Sequence, residues 1–76
     1  MPAAETPLEM AERHVAEGEH RIARQKELIE ELVRDQHDAV VQKARGVLAT
    51  LEESQRLARI HLELEREHYG DSKGKA

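Results

Sequence analysis

Residues that are apolar or small, with the single exception of Gln25, recur along the first half of the chain at alternating steps of three and four: Leu8, Ala11, Val15, Gly18, Ile22, Gln25, Ile29 and Leu32. Such steps return a side chain to the same face of an α-helix, so the run predicts one helix with a single buried stripe. Its start is marked by Thr6-Pro7-Leu8-Glu9. The Thr6 hydroxyl can accept from the Glu9 amide, the Glu9 carboxylate can return to the Thr6 amide, and Pro7 can fill the first helical position without loss.

A second stripe, at Val41, Ala44, Leu48, Leu51, Gln55, Ala58 and Leu62, is out of phase with the first. Continuing the first stripe would bury Ala39, Lys43, Gly46, Thr50 and Glu53, which cannot make a core. A turn over residues 34–40 resolves the mismatch, with Asp38 as the expected N-cap of a second helix, although the turn holds neither Gly nor Pro. The predicted fold is therefore all-α: an antiparallel two-helix hairpin, the first helix over about residues 7–35 and the second over about 39–69, stopping at Gly70. Residues 1–5 are expected to be a flexible lead-in, 6–69 the hairpin domain and 70–76 a disordered tail. Folding about residues 36 and 37 sets Leu32 near Val41, Ile29 near Ala44, Ile22 near Leu51, Gly18 near Gln55 and Val15 near Ala58. Most layers join a large residue to a small one, which permits close approach of the helices. Gly46 falls on the outer side of the second helix, where it weakens the helix by about 1 kcal/mol relative to Ala.

The second helix also carries Val40, Val47, Leu57, His61, Leu64 and His68 beside the seam, and the first contributes Leu28 to the same flank. The opposite flank, with Glu12, Glu19, Lys26, Arg45, Glu52, Arg59 and Arg66, is charged. Two helices have nothing of their own to cover an apolar flank, so the expected state is a homodimer or higher homo-oligomer that buries it as a four-helix bundle. Docking of a different protein on that flank is the alternative.

Composition sharpens this picture. A chain of 76 residues with no cysteine has no disulfide staple, and a two-helix fold of that size usually needs a partner. Charged residues make up 37% of the chain in mixed sign, with net charge −4. Acids and bases are interleaved along both helices, so a nucleic-acid partner is disfavoured. No run is apolar enough for a membrane span, and Met1-Pro2-Ala3-Ala4-Glu5 lacks the basic-then-apolar order of a signal peptide, so a cytoplasmic protein is expected.

Five histidines raise the question of a metal site. In the antiparallel register His14 and His61 fall opposite each other, with Glu65 and His68 one and two turns on. The Glu-x-x-His spacing used by metal-binding bundles occurs once, at Glu65 and His68, so these four residues are weak metal candidates. The preferred reading is interface histidines that hydrogen-bond across helices, with acid-responsive assembly as a further alternative. Nothing assembles a nucleophile, a phosphate loop or a paired-carboxylate cleft, so neither an enzyme nor a cofactor is expected.

The stretch from His14 to Gln25, then Arg34-Asp35-Gln36-His37-Asp38, the stretch from Leu48 to Ser54, and His61 resemble a group of short proteins common in alphaproteobacteria, over about residues 10–66. That group carries no assigned activity; the resemblance implies a bacterial cytoplasmic setting. Its members usually have Gly where this chain has Gln36, followed by His-Asp-Thr where it has His37-Asp38-Ala39. Glycine would cap the first helix in the left-handed conformation freely, whereas Gln36 there is strained by about 1 kcal/mol or the turn takes another form. The architecture is also similar to Rop-like helical hairpins, dimers that bind paired RNA, a likeness of shape that does not confer function. The expected role is a homodimeric, non-enzymatic interaction or scaffold module in regulation or stress signalling. A Rop-like RNA-binding regulator and a His/Glu metal-binding bundle are the alternatives.

Overall fold

A computed structural model describes residues 4–74, with side chains as far as Tyr69. It is an antiparallel hairpin of two helices, α1 (Pro7–Arg34) and α2 (Asp38–Gly74). The start of α1 forms because its orphan amides are met locally. The Thr6 amide donates to Glu9 Oε1 at 3.0 Å, and the Glu9 amide donates to Thr6 Oγ1 at 3.0 Å. Because the Glu9 carboxylate is held there, Arg13 turns elsewhere: it donates from Nε and Nη2 to both oxygens of Glu5, each at 2.9 Å, and from Nη1 to Glu17 at 2.8 Å. Of the lead-in expected over residues 1–5, residues 1–3 lie outside the described residues, and Glu5 is held in that bidentate pair.

At the turn, the His37 amide donates to the Leu32 carbonyl at 3.0 Å and the Gln36 amide to the Val33 carbonyl at 3.1 Å. This is the Schellman pattern, and it requires a left-handed residue just past the helix end. Gln36 supplies it at φ 59°, the one non-glycine residue with positive φ among those described. The turn thus takes the form a glycine would favour and carries the strain of a side chain in that conformation, about 1 kcal/mol. The expected N-cap at Asp38 is corrected: the His37 carbonyl accepts from the Val41 amide at 2.9 Å, so Asp38 is the first residue of α2. There its carboxylate complements the positive end of the helix dipole.

The expected stop at Gly70 is corrected too, since α2 continues to Gly74. A glycine ends a helix firmly when it turns left-handed and the next residue packs back on the last turn. Here the next residue is Asp71, with no apolar side chain to make that contact, and no described glycine has positive φ. Residues 75 and 76 of the expected tail lie outside the described residues.

Between the helices lies a single seam. Ala11, Val41, Ala44, Gln55 and Leu62 are buried, and Leu8, Val15, Gly18, Ile22, Gln25, Ile29, Leu32, Leu48, Leu51 and Ala58 are half-buried. Two glutamines clasp the helices together. Gln55 Nε2 donates to the Val15 carbonyl and Gln25 Nε2 to the Ala44 carbonyl, each at 2.8 Å. Gly18 makes room for the first clasp, because a Cβ built on it would fall inside the Gln55 amide. A buried amide in an apolar seam is costly unless bonded, so the two clasps fix one axial register against its neighbours.

A candidate interaction surface

One side of the hairpin is apolar and uncovered. On α2, Val40 and Val47 lie one step round from the buried line and Leu57 and Leu64 a further step, with exposures of 48%, 49%, 56% and 58%. Leu28 of α1 is 42% exposed and borders a shallow hollow on the same side with Arg21, Arg24 and Leu51. A second hollow, lined by His14, Gly18, Arg21, Ser54 and Gln55, continues the surface towards the chain termini. Met10, 39% exposed, shares its heptad position with Glu17 and Arg24 and so extends the flank on α1. Its isolation among charged residues of that position hides it from a periodicity argument.

The histidines do not gather. His61 Nε2 lies 3.2 Å from Glu65 Oε1 within α2, His14 lines the hollow beside Gly18, and His68 lines a separate one with Pro7, Leu8 and Tyr69. No group of three or more His, Asp or Glu side chains placed to hold a metal ion occurs among the described residues. Of the four weak metal candidates, Glu65 joins His68 in lining the hollow beside Tyr69 and lies against His61, while His14 borders the other hollow.

The opposite flank is ionic. Arg59 of α2 donates to Glu19 of α1 at 3.2 Å, and Arg56 is paired with Glu53. These pairs are well exposed, so each contributes little stability, but they occupy the basic side chains. Ile22 and Ile60 form the apolar floor of a hollow there, rimmed by Lys26, Glu52, Arg56 and Arg59. Hydrogen bonding from Arg13 lowers the Glu5 carboxyl below its usual range, and the same pair raises Arg13. Hydrogen bonding to Glu53 likewise raises Arg56.

No protein-family model, curated protein or solved structure matches the chain. No helix among the described residues is long and apolar enough to cross a membrane.

Proposed function

We propose that the chain is a non-enzymatic interaction module that works as a homodimer of helical hairpins in the bacterial cytoplasm, its charged outer faces engaging another protein in regulation or stress signalling. The observation that carries this reading is the half-exposed row Leu28, Val40, Val47, Leu57 and Leu64 on a hairpin whose own seam is already filled. Area supports it. The chain presents 6140 Å² to solvent at 8.7 kDa. A compact monomer of that mass presents roughly 4700 Å², and a partner in a standard interface covers about 800 Å². The shortest extent of the hairpin, 13 Å, is about one helix thick, so it has no second layer. A second copy supplies that layer. The pairing of Arg13, Arg56 and Arg59 with acids supports a protein partner over an RNA one for the outer faces.

Sedimentation equilibrium tests the reading. The chain should have twice the 8.7 kDa mass of one copy at micromolar concentration, and Leu57→Glu with Leu64→Glu should halve it. A chain that stays helical as a monomer under those conditions overturns the proposal.

A further inference from the structure

The apolar flank of α2 carries a positional symmetry. Val47 and Leu57 stand equally far from residue 52, as do Val40 and Leu64, and so do the small hydroxyl residues Thr50 and Ser54. Two copies of α2 laid antiparallel about a twofold axis at that level would set Val47 against Leu57 and Val40 against Leu64. Thr50 would meet Ser54 beside the axis. Each apolar layer then joins a smaller side chain to a larger one, and the small central pair lets the helices approach closely.

The charges on α1 point the same way. Gly18 lies beside Gln55, and Arg21 borders a hollow with Leu51 and Ser54, so the level of residue 52 falls at about Arg21. The same twofold operation brings Glu17 of one copy to within about one residue, ~1.5 Å along the axis, of Arg24 on the other. With the turns at the same end, the twofold runs along the helices and lays α2 of one copy over α1 of the other, setting Leu57 at about the level of Glu17 and Val47 within about two residues of Arg24. Apolar side chains set on charged ones disfavour that arrangement. Arg21 lies near its own copy at the antiparallel axis, a like-charge contact that counts against this arrangement.

We infer that the second copy docks antiparallel, the turn of each hairpin lying over the terminal end of its partner. This rests on the homodimer reading above. The chain has no cysteine, so single labels can be placed cleanly. A spin label on His37→Cys, at an exposed turn residue away from the flank, reads the arrangement directly. Antiparallel docking sets His37 opposite residue 67 of the partner and so about 45 Å from its own copy; parallel docking brings the two labels to about 20 Å. As a second readout, Val47→Cys mixed with Leu57→Cys should give the mixed disulfide almost exclusively, well beyond twice the yield of either self-linked product. A dimeric mass with the short distance, or with no preference for the mixed disulfide, overturns the antiparallel arrangement and leaves the dimer standing. A monomeric mass overturns both.

Discussion

At the residue scale, two glycines respond oppositely to the same change. Gly46 faces open space, with nothing within 4 Å of a Cβ built there, so Gly46→Ala should stabilise the hairpin by about 1 kcal/mol through helix propensity. At Gly18 the new methyl would displace the Gln55 amide from the Val15 carbonyl and leave a buried polar group without its bond. That loss is about 1–3 kcal/mol and outweighs the propensity gain, so Gly18→Ala should destabilise. Urea denaturation of the two variants checks the sign of each. Gln36→Gly should stabilise by about 1 kcal/mol by relieving the left-handed strain; a loss of stability would contradict the turn geometry. The Gly18 and Gln55 pairing is legible in the sequence because it falls out of the seam register. The hydrogen bond to Val15 is not, since a spacing rule places side chains in layers and cannot choose among carbonyls.

At the element scale, the start of α1 is a double device: a capping box at Thr6 and Glu9, and the Arg13 guanidinium reaching back to Glu5. The box is readable from four consecutive residues. The Glu5 pair, eight residues away, is outside the i,i+4 rule, which matches Arg13 with Glu9 or Glu17; the capping box holds Glu9, and Arg13 pairs with Glu17 and Glu5. Glu5 has a lowered pKa in the fold, so its contribution is present above the ordinary carboxylate range and is lost as pH falls through its depressed value. Arg13→Ala should return the Glu5 titration to the ordinary range, as followed by carboxyl NMR shifts. The far end of α2 is harder to read, because Gly70 has the chemistry of a stop without the apolar neighbour that would fix one. The phase break between the stripes, by contrast, locates the turn, since a single straight helix would have to bury Lys43 and Glu53.

At the scale of the whole molecule, the hairpin satisfies its seam and leaves a flank of Val and Leu half exposed. That surplus is visible in the sequence as a second stripe with no partner stripe to receive it. The symmetric spacing about residue 52 is equally a sequence property, but it acquires meaning only once the seam shows which side of α2 is free. If a second copy covers that flank, folding and pairing should be one process. Thermal unfolding followed by circular dichroism at protein concentrations tenfold apart tests this most directly. A coupled dimer should melt roughly 3–5 °C higher at the greater concentration, because association stabilises the folded state by mass action. A cooperative melt at the same temperature at both concentrations would contradict the account.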